Sequence, residues 1–577
     1  MPQNIRNLAF QCNDFFCIFP ATQFSLLPLL AMDWIDFRAI PPAAGGFSEL
    51  FVDYLYDFPR VRAFYPADFR DLAGYASVMK AIDAKNVDRA ALAEVLLEQN
   101  NALGASPLTL EHIGLLQKTH TYAVVTGQQV GLFGGPLYTV FKTITAIKLA
   151  ARLKEAHPRA EFVPVFWIEG EDHDFEEMNH TGILDAENKL LRLEYLPGGM
   201  MPERNLGAVG ELAFDESLNL TIDRLATGLQ KTEFTDKVLG MLRSCYAPGR
   251  TFHQGFALWM ATLFRDSGLV FISPNDRRLK RLLSPLFMRE LGEYPAVSQL
   301  VINQSAELEK EYHAQVKPKS VNLFMFHKGG RYLIEPRETD FSLKGTRHFV
   351  PKEEMLKIAA DTPELLSANV VLRPVAQDML LPTVAYVAGP SEIAYHAQIG
   401  PVYSHLGVTQ PVVYPRASAS FLEERLQRAL DRYELDLKEF FGDIGRVTAR
   451  VVEQISEVKL EAMFANALNR VHDALHELKF GLNEVDPTLL GALDTASGKI
   501  DTTIEVLKEK GIAAQKRRNE TAVRQIEKAA NGFLPNATLQ EREITMLYYM
   551  NKYGPDLIQW TKERLDIAGF KHQILTL

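Results

Sequence analysis

Apolar positions between Tyr122 and Lys154 change their spacing once, and each spacing predicts a different element. Tyr122 to Thr126 is a short run of β-branched and aromatic residues, which is typical of a buried strand. After a glycine-rich segment, apolar residues recur at helical spacing, and Pro136 stands where a helix would begin. The apolar positions are Leu137, Val140, Phe141, Ile144, Ile147 and Ala151. The pattern predicts a strand, a glycine loop and a helix.

Further apolar runs extend this unit into a sheet. Phe162–Ile168 predicts a second buried strand, and strand–helix–strand crossovers are parallel and nearly always right-handed. Later runs predict four more short strands: Leu269–Ser273, Val370–Leu372, Thr383–Val387 and Pro411–Tyr414. Helical patterns precede the unit at Phe47–Leu55, Arg70–Lys85 and Asp88–Asn100. The fold class is therefore predicted to be α/β with a parallel sheet.

Two regions interrupt this alternation, and each predicts an insertion in the core. Near residues 184–260, short strands such as Leu190–Tyr195 and several turns precede an amphipathic helix. Near residues 315–350, alternating apolar and polar positions predict a hairpin. The core with its insertions is expected to cover residues 32–420.

A heptad repeat follows the core and predicts a helical arm over residues 421–532. Its apolar positions recur at alternating spacings of four and three, the pattern of a left-handed coiled coil. They are Phe464, Leu468, Val471, Leu475, Leu478, Leu482, Val485 and Leu489. A turn around Asp486–Gly498 and a second helix over about Lys499–Ala530 would complete an antiparallel pair. A plain hairpin is the alternative to a dimerising arm, and we expect a homodimer, because long arms rarely project without a partner.

The last segment, residues 533–577, is expected to return to the core. Its composition is again that of a globular domain, with two helices. The final run KHQILTL predicts an edge strand.

The charge balance excludes some partner classes. The 577 residues carry a net charge of −10, and the pI is about 5.9. This argues against a nucleic acid or an anionic membrane as partner, so any anion site must be local. The three cysteines, Cys12, Cys17 and Cys245, support neither a disulfide framework nor a metal site. A reducing cytoplasm fits them best.

Residues 1–31, the N-terminal extension, are expected to lie upstream of the true translation start. Phe15–Ala31 is apolar but contains Pro20, Gln23 and Pro28, so it would make a poorly formed signal peptide. No run in the sequence is apolar enough to span a membrane. We expect Met32 to be the natural first residue.

The glycine loop is the first candidate site. A strand, a glycine loop and a helix together aim free backbone N–H groups and a helix N-terminus at an anion. The candidate nucleotide- or phosphate-binding residues are Gly127, Gln128, Gln129, Gly131, Gly134, Gly135 and Lys142. The spacing is neither G-x-G-x-x-G nor a Walker loop, so a turn that only permits close packing is equally compatible. Lys142 is equally compatible with a solvated surface position.

The second candidate site is EGEDHDFEEMNH, Glu169 to His180, directly after the second strand. Ligands bind at the carboxyl ends of parallel strands, so this cluster would face the glycine loop across one crevice. The candidate catalytic residues are Glu171, Asp172, His173 and Asp174. Repulsion among these acids is expected to raise some of their pKa values and suit a general base, and they could also hold an ammonium group or Mg²⁺. An acidic helix start is the alternative.

The third candidate site is a polar pocket formed by Leu372–Ser418. Its candidate substrate-binding residues are Gln377, Asp378, Glu392, Tyr395, Gln398 and Arg416. Arg416 follows a predicted strand, where a guanidinium can bind a carboxylate with two hydrogen bonds. Each residue alone could be a cap or a buried hydrogen-bonding group.

Three long motifs together resemble one known family. They are TGQQVGLFGGPLYTVFKT, FWIEGEDHDFEEMNH and LRPVAQDMLLPTVAYVAGPSEIAYHAQIGPVYSHLGVTQPVVYPR, and FLPNATLQER follows near the C terminus. They are similar to motifs of the bacillithiol synthase family of cysteine-adding ligases, over essentially Met32 to the C terminus. Residues 1–31 fall outside the resemblance.

The resemblance implies the last step of bacillithiol synthesis, which joins cysteine to the amino group of glucosaminyl-malate. It also implies a Rossmann-like core with connecting insertions, related to class I aminoacyl-tRNA synthetases and nucleotidyltransferases, and a coiled-coil dimerisation arm. In that reaction an acid of the cluster, or His173, would take the amine proton. Arg416 would bind a carboxylate of malate, and Glu392 with Tyr395 or Gln398 would bind sugar hydroxyls or an ammonium group.

The activation of cysteine stays open at this point. The run HIGL at His112 looks like the start of a synthetase HIGH motif, but it precedes the first strand, and no KMSKS-like loop is present. The cofactor is therefore unknown, and ATP or another nucleotide with Mg²⁺ is one option. Two other functions fit the same features: an adenylating enzyme or nucleotidyltransferase for another small substrate, and a non-enzymatic nucleotide-binding scaffold.

Overall fold

The computed structural model describes residues 33–85, 87–199 and 205–577. The predictions for the N-terminal extension, its two cysteines and the start at Met32 lie outside these residues. None of the helices in the described ranges is both long and apolar enough to cross a membrane.

Five parallel strands form the central sheet. Their nearly continuous apolar sequences are typical of strands in a parallel sheet that is covered on both faces. In spatial order they are Val412–Pro415, Thr383–Ala388, Thr121–Gln129, Glu161–Glu169 and Val270–Ile272. The α/β fold class and the predicted strands at these five positions are confirmed. The two longest strands pair over their whole length, so Gln129 and Glu169 lie side by side at the same edge.

The first central strand is longer than predicted. It continues through Gly127, Gln128 and Gln129, and the helix Leu137–Ala156 follows a short loop. Gly127 allows this because a Cβ there would lie 3.0 Å from the carbonyl oxygen of Trp167 on the neighbouring strand. The two glutamines therefore project from the end of a strand and not from a loop.

The strand predicted at Val370–Leu372 is wrong. This segment is a turn that leads into the helix Arg373–Leu380. The side chain of Asn369 accepts hydrogen bonds from the backbone N–H groups of Val371 and Leu372, which starts the helix. Pro374 fits its first turn.

The remaining elements of the core are helices and two antiparallel insertions. The helices before the sheet, which confirm the predicted helical region, are Glu49–Tyr56, Phe58–Val61, Leu72–Asp83, Arg89–Ala102 and Pro107–Leu116. The first insertion contains the hairpin His180–Leu184 and Leu190–Glu194, then helices Ser217–Gly228, Thr235–Cys245 and Phe252–Leu263. Helices Arg277–Glu293, Ala296–Leu308, Lys352–Asp361 and Pro390–Leu406 complete the core. The second insertion is a five-stranded antiparallel sheet in the order Phe349–Pro351, Asp340–Leu343, Gly330–Pro336, Leu323–His327 and Leu366–Ala368.

Two long antiparallel helices form the arm, Leu460–Val485 and Leu489–Arg518. They lie side by side, and His472 on the first contacts Asp501 on the second at 2.8 Å. The predicted turn over Asp486–Gly498 is too long, because the second helix begins at Leu489. Shorter helices connect the arm to the core: Glu424–Arg432, Ile444–Ile455 and Glu520–Phe533.

The C-terminal segment packs back onto the core. Its helices are Gln540–Glu543, Met546–Tyr553 and Leu557–Arg564. The strand His572–Thr576 lies between Asp33–Ile35 and Ser418–Leu422, so it is the central strand of a three-stranded sheet and not an edge strand. The division into core, arm and C-terminal segment at residues 420 and 532 stays a prediction.

A buried ion pair ties the C-terminal segment to the core. Arg416 donates two hydrogen bonds to Glu541, at 3.0 and 2.6 Å, and neither side chain is more than 6% exposed. Burial alone would raise the pKa of Glu541, but Arg416 outweighs it and holds the pKa below its usual value. Both groups are therefore charged, and each depends on the other.

We expect Glu541→Gln to destabilise the fold, because it leaves the Arg416 charge buried without an anionic partner. Breaking such a pair costs about 3–5 kcal/mol, which thermal unfolding followed by circular dichroism would detect. Lys508→Gln is the control, since it breaks an exposed pair with Glu505 that is worth about 0.5 kcal/mol. Equal melting temperatures for the two variants would contradict the role of the buried pair.

Candidate functional site

A cavity of about 830 Å³ opens at the carboxyl-terminal edge of the central sheet. Four neighbouring strands end at it, with Arg416, Gly389, Gln129 and Glu169 at or just after their last residues. This edge is where open parallel sheets bind their ligands. Gln128 and His173 line the same cavity, so the structure brings the first two candidate sites into one crevice.

Positive charge dominates the lining. The basic residues that face the cavity are Lys142, Lys317, Lys319, Arg331, Arg373, Arg416 and Arg542. The acidic ones are Glu169, Asp172, Glu177 and Glu392. Because the whole chain carries a net charge of −10, this concentration is local, and the cavity favours an anionic ligand.

Only some of these cations are neutralised within the chain. Arg331 pairs with Asp172 at 3.2 Å, and Lys142 and Arg416 have carboxylate partners at 2.7 and 2.6 Å. The others have no carboxylate oxygen within 4.0 Å in the described part of the chain: Lys317, Lys319, Arg373 and Arg542. These are the charges that a ligand can neutralise.

Lys142 is not a solvated surface residue. Its Nζ donates to the Gly127 carbonyl at 2.6 Å and to Glu392 at 2.7 Å, and only 3% of its side chain is exposed. Burial lowers the pKa of Lys142. Burial would raise the pKa of Glu392, but Lys142 outweighs it, and the pKa lies below its usual value. The pair is charged and is a structural part of the cavity wall.

Arg373 is a site residue that the sequence analysis missed. Its guanidinium donates to the Tyr395 hydroxyl at 2.9 Å and to the Gln377 amide oxygen at 3.3 Å. It stands at the start of a helix beside Pro374, within the segment Leu372–Ser418 of the third candidate site. Tyr395 and Glu392 also line the cavity, as predicted.

The expectation that repulsion raises some pKa values in the acid cluster is confirmed for Glu169 and Glu177, where burial and then the charges of neighbouring acids raise the pKa. Asp172 behaves in the opposite way. Asp172 accepts hydrogen bonds from His173 and Gln129 and pairs with Arg331. Burial alone would raise its pKa, but these partners hold the pKa of Asp172 at about 2. Glu171 is buried in an ion pair with Lys280. Asp174 caps a short helix by accepting from the Glu177 N–H at 3.2 Å, the alternative given for this cluster.

Of the candidate catalytic residues that line the cavity, Asp172 and His173, the second is the more exposed. Its side chain is 39% exposed, and Nδ1 lies 3.1 Å from Asp172. The ring also packs against Phe324. His180, the last residue of the segment, bonds the Glu176 carbonyl and does not line this cavity.

Glu169 is the second missed residue, and its environment suits a general base. It ends its strand, accepts from the Trp167 indole N–H at 3.1 Å and from the Glu171 N–H at 3.1 Å, and has no basic partner within 4.0 Å in the described ranges. Burial, and then the charge of Glu171, raises the pKa of Glu169. Its position as the last residue of a buried strand was the signal that could have identified it.

Three predicted substrate-binding residues, Gln377, Asp378 and Gln398, are buried and do not line the cavity. Gln398 bonds the backbone N–H and carbonyl of Val316, at 2.9 Å each. Asp378 accepts from Tyr403 and Gln377, and burial raises its pKa to about 6. Arg416 reaches the cavity but is neutralised by Glu541, so it is not free to bind a substrate carboxylate.

The glycine loop does not present a row of free amides, which corrects the anion-cradle expectation. The Gly134 N–H donates to the Tyr246 hydroxyl at 3.1 Å, and the Gly135 N–H donates to the Leu132 carbonyl at 3.1 Å. The Leu137 N–H donates to the Ile544 carbonyl at 2.8 Å. Gly131 and Gly135 line a smaller neighbouring cavity, and Gly134 lines neither.

The helix Pro390–Leu406 places its N-terminus at the cavity instead. Gly389, Pro390 and Ser391 line it, and this end carries the positive pole of the helix dipole. His112 of the HIGL run bonds the Gly268 carbonyl and does not line the cavity. Among the described residues, no three His, Cys, Asp or Glu side chains are grouped so as to hold a metal ion.

Two family models together match the chain from residue 33 to residue 577, apart from residue 418. Residues 33–417 match "Bacillithiol biosynthesis BshC, N-terminal Rossmann-like domain", and residues 419–577 match "Bacillithiol biosynthesis BshC, C-terminal coiled-coil domain". Curated relatives named "Putative cysteine ligase BshC" include proteins from Salinibacter ruber and Chloroherpeton thalassium. The Salinibacter protein is 40% identical, and the match covers 93% of this chain and 98% of that protein. The Chloroherpeton protein is 37% identical, and the match covers 94% of this chain and 99% of that protein. A relative of the same name from Bacillus cytotoxicus is 31% identical over 87% and 93%.

Trp167 should report the ionisation of Glu169, because its indole donates directly to that carboxylate. We expect tryptophan emission to change as pH is lowered, with a midpoint above the ordinary glutamate value of 4.5. Glu169→Gln should remove the transition, and Trp167→Phe should remove it while leaving the carboxylate in place. A transition that persists in the Glu169→Gln variant would assign it to another group.

Proposed function

Because the chain belongs to the BshC family of bacillithiol biosynthesis, we propose that it is the ligase that adds cysteine to the amino group of glucosaminyl-malate. One observation carries the proposal. A carboxylate with a raised pKa, Glu169, shares a cavity with four cations that lack a carboxylate partner in the described chain. This suits a substrate with carboxylates to bind and an amine to deprotonate. We place the reaction in the cytoplasm.

The malate end of the acceptor would be bound by the unpaired cations. Arg373 is fixed by Tyr395 and Gln377, so its planar guanidinium is oriented before a carboxylate arrives. Lys317 and Lys319 add two further charges. Tyr395 and Glu392 would contact sugar hydroxyls. Arg416 supports this wall but does not bind the substrate.

Glu169 would accept the proton of the attacking amine. In the bond-forming step, the amine nitrogen attacks the activated carbonyl carbon of cysteine, a C–N bond forms, and the leaving group departs with the electron pair of the broken bond. Burial makes Glu169 a stronger base than an exposed carboxylate, whereas Asp172, with its pKa at about 2, is a poor one. The start of the helix Pro390–Leu406 would stabilise the developing oxyanion.

Cysteine needs an activated carboxyl group for this step, because a free carboxylate and an amine do not condense in water. ATP or another nucleotide is the class of reagent that supplies activation. The backbone N–H groups of Gly134, Gly135 and Leu137 are already bonded within the chain, so they do not identify where such a reagent would bind.

Glu169→Gln and Arg373→Met should both lower bacillithiol formation. Loss of a general base lowers a rate by about 10²–10⁴-fold, and loss of Arg373 should chiefly raise KM for glucosaminyl-malate. The measurement is mass spectrometry of cellular thiols in a deletion strain carrying each variant, followed by kinetics of the purified proteins. Lys508→Gln, on the arm, should restore the thiol fully. A Glu169→Gln enzyme with wild-type kcat would remove Glu169 from the mechanism, and His173→Gln would then be tested as the base.

The same experiment separates the other functions. Pyrophosphate release with another acid and no bacillithiol would indicate an adenylating enzyme. Nucleotide binding without turnover, and an unchanged thiol pool on deletion, would indicate a scaffold.

We also propose that the arm forms a homodimer. Large apolar side chains on its two long helices are exposed to solvent, among them Leu478 at 55%, Phe480 at 67% and Val485 at 79%. No residue of either helix is fully buried, so the pairing of the two helices within one chain leaves apolar surface at the heptad positions exposed to solvent. A second arm would cover them.

A charged residue in this seam should therefore dissociate the dimer. We expect Leu478→Glu with Val485→Glu to convert the protein to a monomer, measured as molar mass by light scattering after size exclusion. Leu220→Glu, at an equally exposed leucine outside the arm (62%), is the matched control and should stay dimeric. A wild-type monomer would refute the dimer outright.

A further inference from the structure

A second, smaller cavity of about 160 Å³ adjoins the main one. It lies between the start of the helix Leu137–Ala156, the hairpin His180–Leu184 and Leu190–Glu194, and the C-terminal segment. Gln128, Gln129, Tyr138, Glu177 and Arg542 line both cavities, so the two are neighbours with a shared wall. At about 30 Å³ per water, the small cavity holds roughly five waters. This is room for a small amino acid and too little for a sugar conjugate.

Buried polar atoms without partners face this cavity. The hydroxyls of Thr139 and Thr181 and the amide oxygen of Gln129 have no hydrogen-bond partner in the described part of the chain. Thr139 is fully buried, and Thr181 is 3% exposed. Burying a polar group without a hydrogen-bond partner is unfavourable, so three such groups around one small space indicate a polar ligand.

The wall opposite Thr139 is open because residue 135 is glycine. A Cβ on Gly135 would lie 3.4 Å from the Thr139 hydroxyl oxygen and would fill this space. The φ of Gly135 is +69°, which disfavours any other residue. The loop therefore places no side chain between residue 135 and the buried Thr139 hydroxyl.

The cavity also carries both signs of charge. Arg542 has no carboxylate within 4.0 Å in the described ranges, and Arg192 adds a second guanidinium, although it pairs with Glu194. Glu543 and Glu177 have no basic partner within that distance there. Burial raises the pKa of each, for Glu177 with help from the charges of Asp172 and Asp174. A cation bound beside them would relieve this cost.

We propose that the small cavity binds a small zwitterionic α-amino acid, which in the proposed reaction is the substrate cysteine. Glu543, which lines only the small cavity, holds the ammonium group. Arg542, which lines both cavities, holds the carboxylate at the shared wall, where the acceptor amine can reach it. Thr139 and Thr181 donate their hydroxyl protons to the remaining carboxylate oxygen or to the side chain. This assignment rests on the proposed function for the identity of the amino acid.

Thr139→Val with Thr181→Val tests the site without removing volume. If the hydroxyls bind the amino acid, KM for cysteine should rise about tenfold or more, because two hydrogen bonds are lost, while KM for glucosaminyl-malate stays unchanged. If they are only structural, the variant should melt at the same temperature or higher with both KM values unchanged, which would overturn the proposal. Thr143→Val is the matched control, since its hydroxyl already bonds the Thr139 carbonyl on the same helix.

A binding measurement separates this inference from the ligase activity. L-Serine, the isostere of cysteine with a hydroxyl in place of the thiol, should raise the melting temperature of the wild-type protein at millimolar concentration, and Glu543→Gln should weaken this effect about tenfold. That result would stand even if no bacillithiol were formed. No stabilisation of the wild type by L-serine or L-cysteine would overturn the site even in a fully active ligase.

Discussion

Lys142 and Glu392 form the ion pair on which the shape of the main cavity depends. Lys142 lies on the helix that follows strand Thr121–Gln129, and Glu392 lies in the first turn of the helix that follows the neighbouring strand Thr383–Ala388. A pair this deep is stable only if its other hydrogen bonds are satisfied. The Gly127 carbonyl, the Tyr386 hydroxyl and the Gly389 N–H satisfy them. The pair thereby fixes two helices and two strand ends around one space.

The partners of each charged group decide whether that group is available for catalysis and binding or stabilises the fold. Asp172 and Glu392 have cations beside them, lowered pKa values and little capacity to take a proton. Glu169 has only hydrogen-bond donors beside it, and burial acts on its pKa unopposed by a paired cation. Arg331 and Arg416 are neutralised within the chain, whereas Arg373 is oriented by neutral groups. The site is thus the set of charges that the fold positions but does not neutralise.

The sequence predicted the frame of this site well and its chemistry poorly, for one physical reason. A buried strand or a heptad helix is encoded in the spacing of its own apolar residues, so the central strands and the arm could be located. An ion pair is not encoded locally. Arg331 is 159 residues from Asp172, Glu541 is 125 from Arg416 and Lys280 is 109 from Glu171. Without those partners, a dense acid cluster predicts repulsion and raised pKa values, and the structure has the opposite for Asp172.

The glycine loop illustrates how one sequence feature can be both packing and site. A Cβ on Gly134 would lie 2.6 Å from the indole of Trp259, and one on Gly131 would lie 3.0 Å from the Cα of Gly135. These two glycines permit close packing, and the N–H groups of Gly134 and Gly135 donate hydrogen bonds within the chain. Gly135 differs, since the space left by its missing side chain is bordered by a hydroxyl that has no partner in the described chain. The glycine at position 135 therefore both closes the turn and leaves the small cavity open. The surface of this motif that can bind a ligand is a pocket of side chains beside the helix start, and not a ring of backbone amides.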